Sequence, residues 1–268
     1  MKYMTFRSSC SYAGVANMLE YYGFDTEDRQ IALDMGLPFL FSCQDGVYCA
    51  GPMLQTADWF NLYLKPRGFC MTETQLEREG TGRFLRTVPC GMLGLTVTPQ
   101  SRHAVVYTGM SAEKYRFLNN KRQHDPEPET LLLTEEELSS RLHETVMIAT
   151  LSQIPPQPVE MTSCFQESLR VLCRLQQDLL DFCSKERTPT ELAEERDRLF
   201  RAILLDAVTM LELIGEQPLR ETLLLLQRQF TDALREGTPQ ILCERLSMDA
   251  LTGAMDGYGE MIKGRIFS

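Results

Sequence analysis

The sequence predicts an α+β domain over residues 1–153, a Pro-rich connector over 154–159 and an all-α helical bundle over 160–268. Three observations lead there. Up to about residue 153, Gly-punctuated segments are mixed with short β-rich runs, whereas from Glu160 onward the pattern is almost wholly helical. Between them, Ile154-Pro155-Pro156-Gln157-Pro158 cannot continue a helix and reads as a stiff connector. With 268 residues, 43% of them hydrophobic, the chain is long enough for two separate cores, which excludes wholesale disorder.

In the first domain, Val15, Met18, Leu19 and Tyr22 recur at helical spacing and predict a helix over Ser11 to Tyr22. Ser8 and Ser9 are cap-forming residues before it, and Gly23 suits its C-terminal cap. Strands are predicted at Met92 to Val97, Ala104 to Thr108, Tyr115 to Leu118 and Val146 to Leu151. Thr134 with Glu137 three residues on forms a capping box that opens a helix running to about His143. The domain is thus helix-first with an antiparallel sheet after it.

In the second domain, Phe165, Leu169, Leu172, Leu175, Leu179 and Phe182 form one apolar stripe. Another, opened by Thr188-Pro189, runs through Leu192, Leu199, Phe200, Ile203, Ala207, Leu211 and Ile214 to Gly215. The next runs from Leu219 through Leu223, Leu226, Phe230 and Leu234 to Gly237, and a weaker one covers Ile241 to Ala250. Residues 253–268 read as a loose tail; their glycines are followed by no Lys-Ser/Thr pair, so a phosphate loop is not expected. Leu223 to Leu226 spread over several helical faces and point to a partner surface, such as a homodimer through the helical domain.

Lys plus Arg number 27 against 37 Asp plus Glu, a net charge of −10, which argues against nucleic acid and anionic membranes as partners. No apolar run is long enough for a bilayer span, and the opening MKYMTFRSSC is too polar for a signal peptide. Nine cysteines with no CxxC pair and three histidines indicate neither a disulfide framework nor a zinc site. The expectation is a soluble cytoplasmic protein without metal or cofactor, acting on a peptide, amide or acyl-thioester substrate.

Three residues carry the expected chemistry. Cys10 stands at the start of the first helix, where unpaired backbone N–H groups favour negative charge on sulfur. His103 opens the AVVYT strand and has the side chain best matched to proton transfer near neutral pH. Beyond the MSAEK turn the next strand ends in Asn119-Asn120, so a hairpin returns one of these amides beside His103, where its oxygen holds the ring N–H. Alternation places Tyr115, Phe117 and Asn119 on one face, which favours Asn119 over Asn120.

This Cys, His, Asn order, with CSYAGVANMLEYYG at the nucleophile and HAVVYTG at the base, resembles papain-like thiol enzymes over roughly residues 5–150. Two branches are most similar: the bacteriocin-leader-processing peptidases, and the butirosin-biosynthesis type of acyltransferase, whose thiol domain is followed by a helical region. The resemblance implies Cys10 as nucleophile, His103 as general base and Asn119 as orienting residue. It departs from the peptidase pattern at Ser11, where glycine is usual, and at Asn119-Asn120, where Asp-Pro is usual. The glutamine that normally completes the oxyanion hole is replaced by Met4, with Ser8, Ser9 and Arg7 as substitutes.

These residues lead to three readings: a peptidase or amide hydrolase, an acyltransferase moving an acyl group from a thioester to an amine, and an inactive scaffold that has kept the fold. An alternative triad uses Asp125, adjacent to His124; His143 reads as a surface or helix-end histidine. Cys43 and Cys49, which bracket a Gln-Asp-Gly turn, and Cys164, Cys173 and Cys183 are assigned to packing. The aromatic-rich stretch Gly36 to Leu64, which holds the one tryptophan, Trp59, serves either a substrate cleft or the core.

Overall fold

A computed structural model describes residues 4–6, 9–99, 101–120 and 129–267. The elements, in chain order, are α1 (Ser11–Tyr21), α2 (Asp28–Asp34), β1 (Phe41–Gln44), β2 (Val47–Ala50), α3 (Ala57–Leu64), β3 (Phe69–Glu77) and α4 (Arg78–Leu85). Then come β4 (Gly91–Thr98), β5 (Ser101–Ser111), β6 (Lys114–Asn119), β7 (Glu129–Leu133), α5 (Glu135–Ser140) and β8 (Thr145–Gln153). The helical half holds α6 (Thr162–Cys183), α7 (Pro189–Glu195), α8 (Ala207–Ile214), α9 (Gln217–Glu236) and α10 (Met248–Ile266). The protein is α+β, with a six-stranded antiparallel sheet in the order β3-β8-β4-β5-β6-β7 and a C-terminal helical region. Among the described residues, no helix is long and apolar enough to cross a membrane.

The chain divides into two compact units: residues 1–35 with 55–159, and residues 36–54 with 160–268. Residues 36–54, which the sequence pattern groups with the first domain, therefore pack with the helices. The reason lies in the side chains. Phe39 and Phe41 make edge-on ring contacts to Phe165 and Tyr258, and the Ser168 hydroxyl serves the backbone of Phe41 from within α6. Tyr258 in turn donates to the Pro38 carbonyl at 2.6 Å. Of the aromatic-rich stretch, Leu37, Phe39, Leu40, Phe41 and Tyr48 are thus buried apolar residues of the helical unit, while Trp59 belongs to α3 of the sheet unit.

In the sheet unit, alternation along the strands places Leu93, Leu95, Val105, Tyr107, Tyr115 and Phe117 in one core with Leu85 of α4 and Leu138 of α5. The Thr134 capping box is formed, but α5 stops at Ser140, so His143 lies beyond the helix, where its Nδ1 is 3.1 Å from Arg102. Two strands of the six-stranded sheet were not legible in the sequence. In β3, Glu73 and Glu77 interrupt the apolar alternation; it is an edge strand, where charge on the rim is expected. The other, β7, is a five-residue edge strand at the opposite side.

The helix α1 packs against β4 and β5. Gly14 permits the close approach: a Cβ there would collide with the Met92 thioether of β4. At the far end, Gly23 takes the left-handed conformation (φ 78°) that closes the helix.

In the helical unit, Gly215 and Gly237 take the same left-handed cap conformation, and Thr188 forms a full capping box with Glu191. The stripe after Thr188 is not one uniform helix: residues Arg196–Phe200 and Ala202–Asp206 are π-helical. The expected loose tail is corrected to a 19-residue helix, α10, capped by the Ser247 hydroxyl. Its glycines are tolerated because Leu251, Ala254, Met255, Tyr258 and Ile262 form a buried stripe. Leu223 and Leu226 are buried inside the unit and Leu225 is exposed.

Candidate active site

Cys10 is the N-cap residue of α1, half-buried, with its carbonyl accepting the Gly14 N–H. The first turn is tied down on the side of the serines. The Ser9 hydroxyl accepts the Ser11 N–H at 3.2 Å, and the hydroxyls of Ser9 and Ser11 both donate to Oε1 of Gln55, at 2.7 and 3.0 Å. Further upstream, the buried Asp28 carboxylate accepts the Thr5 N–H and hydroxyl and so anchors the chain that leads to the cysteine. Burial raises the Asp28 pKa, and the hydrogen bonds from Thr5 and Arg29 oppose that rise.

The sheet brings the other two residues to Cys10. The β5–β6 pairing ends at Val105 opposite Asn119. One residue beyond that end, the Ala104 N–H donates to Cys10 Sγ at 3.0 Å, so the sulfur touches the peptide group that joins His103 to Ala104. A hydrogen bond of this kind strengthens as negative charge develops on its acceptor.

His103 stands diagonally across the ladder from Asn119, two residues before Val105 on the same face. Its Nδ1 is 3.0 Å from Asn119 Oδ1. The orientation of that amide is decided by Glu129, whose carboxylate accepts the Asn119 NH₂ at 3.0 Å. A carboxylate only accepts, so the amide nitrogen faces Glu129 and the oxygen faces the imidazole. His103 therefore carries its proton on Nδ1 and presents the lone pair of Nε2, which has no partner among the described residues.

The neighbouring Asn120 points the other way and serves α1. It accepts from Asn17 Nδ2 at 2.6 Å, and its own NH₂ is 3.5 Å from the Cys10 carbonyl. Both asparagines are buried, 2% and 1% exposed, and they serve different elements. Asn119 meets the imidazole, and Asn120 meets the helix that carries the cysteine.

The structure thus brings Cys10, His103 and Asn119 into one neighbourhood at the end of the β5–β6 hairpin. Sequence reasoning did not find Gln55, 46 and 44 residues from the serines it binds, or Glu129, 10 residues from Asn119; neither belongs to a recognisable local pattern. Asp125, His124, Arg7 and Ser8 lie outside the described residues. Met4 is half-buried, and its thioether offers no donor.

Of the other cysteines, Cys90 and Cys183 are buried, and burial pushes both thiols up to about 12. Cys173, assigned from the sequence to packing, is instead exposed on α6, and Cys243 is exposed as well. Cys43 and Cys49 flank the β1–β2 turn, where Asp45 and Gly46 take positive φ. No protein-family profile matches the chain, and no curated protein matches it.

Proposed function

We propose that this protein is a papain-like thiol enzyme that forms an acyl-thioester on Cys10 and passes the acyl group to water, as a peptidase or amide hydrolase does. The observation that carries the reading is that the peptide group joining His103 to Ala104 meets the Cys10 sulfur while the His103 ring is paired with Asn119. The start of α1 supplies Cys10, β5 supplies His103 and the N–H that meets Sγ, and β6 supplies Asn119.

The chemistry follows from these positions. His103 Nε2 takes the Cys10 proton as Sγ attacks the carbonyl carbon, and then gives that proton to the leaving amine. Asn119 holds the ring in the tautomer this requires and accepts from the imidazolium that forms. Water then attacks the thioester with His103 again as base, releasing the acid and restoring the thiol.

Met4 supports a second reading, in which the acyl donor is already a thioester and the acceptor is an amine. An activated donor needs less oxyanion stabilisation than a peptide bond, and Met4 supplies none. One experiment serves both. The protein is treated with p-nitrophenyl acetate and with an acyl N-acetylcysteamine thioester, and the acyl adduct is followed by intact-protein and peptide mass spectrometry. Acylation confined to Cys10 and absent in Cys10→Ala is the expected result; acylation that persists in Cys10→Ala overturns the proposal. Deacylation accelerated by added amine selects transfer over hydrolysis.

A further inference from the structure

Resting on that reading, we propose that Gln55 supplies the side-chain donor of the oxyanion hole, from a place in the chain 45 residues after the nucleophile rather than before it.

The serines on either side of Cys10 set the geometry. Ser9 and Ser11 both give their hydroxyl protons to Gln55 Oε1, which pins the amide against the segment that carries the sulfur. The amide cannot be turned over without loss. Its NH₂ would then meet two hydroxyls that have no other acceptor among the described residues, and Ser9 already takes the Ser11 N–H. With Oε1 committed, Nε2 is the group left to donate, and it has no acceptor among the described residues.

The other amides near Cys10 are occupied. Asn17 binds the Ala13 carbonyl and Asn120, Asn120 approaches the Cys10 carbonyl, and Asn119 lies between His103 and Glu129. Gln55 is half-buried and immediately precedes Thr56, the N-cap of α3, so its backbone is held by a formed element. An oriented, partly desolvated N–H₂ beside a nucleophile is the type of group that stabilises a developing oxyanion. Together with the backbone N–H of Cys10 it would replace the donor that Met4 lacks.

The step in question is acylation. Sγ bonds to the acyl carbon of p-nitrophenyl acetate while the thiol proton passes to His103. The carbonyl electron pair moves onto oxygen, and its return expels nitrophenolate. Only this reaction builds an oxyanion. Alkylation of the same sulfur by iodoacetamide displaces iodide directly and builds none.

The test compares the two rates at Cys10 in the whole protein, in wild type, Gln55→Leu and Gln55→Glu. The glutamate variant keeps an acceptor for both serines and removes the donor, so it remains informative if the leucine variant folds poorly. Acylation is expected to fall on the order of 10²-fold in either folded variant, in kcat rather than KM, with alkylation within about threefold of wild type. Equal losses in both reactions mean that Gln55 only shapes the loop, and no loss in either means that it does nothing at the site; each overturns the proposal. Acylation unchanged in Cys10→Ala overturns the parent reading instead, and this inference with it.

Discussion

The Asn119 carboxamide oxygen lies 3.0 Å from Nδ1 of His103, and the amide is held in that sense by the Glu129 carboxylate on its other side. This chain of three side chains crosses three adjacent strands, β5, β6 and β7, and needs the sheet register to exist. Its consequences are measurable.

Removing the base is the most direct test. His103→Ala should slow both acylation and iodoacetamide labelling of Cys10, the former by on the order of 10²–10⁴, because it removes the general base that the proposed mechanism uses. Rates at Cys10 read by peptide mass spectrometry check this; labelling equal to wild type would remove His103 from the chemistry.

Glu129 acts only through Asn119. Glu129→Leu lets the amide turn over, which presents NH₂ to Nδ1 and shifts the imidazole proton to Nε2. Losing one hydrogen bond of about 1.5 kcal/mol to a charged state corresponds to roughly a tenfold slower acylation. A fall in kcat with KM unchanged is expected, with thermal stability close to wild type.

Asn120 is expected to differ from its neighbour. In Asn120→Ala the Asn17 amide loses a buried partner and the Cys10 carbonyl its approach, a cost of about 1–3 kcal/mol. Urea unfolding should show that loss for Asn120→Ala and a smaller one for Asn119→Ala, while acylation falls more in the latter.

Native-state thiol labelling should divide the nine cysteines. Cys90 and Cys183, buried with thiols raised to about 12, should stay unlabelled at pH 8 until the protein unfolds. Cys173 and Cys243 are exposed and should label in the native protein. Rapid native labelling of Cys90 would mean that the sheet unit opens locally.

Asp206 gives the helical unit a pH dependence. It is fully buried, neither carboxylate oxygen has a hydrogen-bond partner among the described residues, and the nearest cation, Arg201 Nε, is 3.7 Å away. Burial pushes its pKa from 3.8 up to about 7, with Arg201 pulling the other way. Between these values the native carboxyl keeps a proton that the unfolded chain releases, so stability falls as pH rises from about 4 through 7 and then levels. Asp206→Asn should therefore stabilise the protein by on the order of 2–3 kcal/mol more at pH 8 than at pH 4.5, measured by urea unfolding. An equal effect at both pH values would show that the carboxyl is ionised in the native state at both.

What the sequence determined by itself is what adjacent residues decide. The helix that begins after Cys10 and stops at Gly23, the Thr134 capping box, and the glycine ends at Gly215 and Gly237 all follow from spacings of a few residues. So do the hairpin strands β5 and β6, which made Cys10, His103 and an asparagine legible as a set. The tertiary structure decided the rest. Alternation in the sequence favoured Asn119 over Asn120, but only the register brought Asn119 to the imidazole and Asn120 to α1. Gln55 and Glu129 joined the site through hydrogen bonds that no local pattern encodes. Phe39 and Phe41 joined the helical unit because their ring partners, Phe165 and Tyr258, lie more than a hundred residues away. Burial of a shared apolar stripe likewise made a helix of the glycine-containing segment Met248–Ile266, where local propensity alone favours a loose tail.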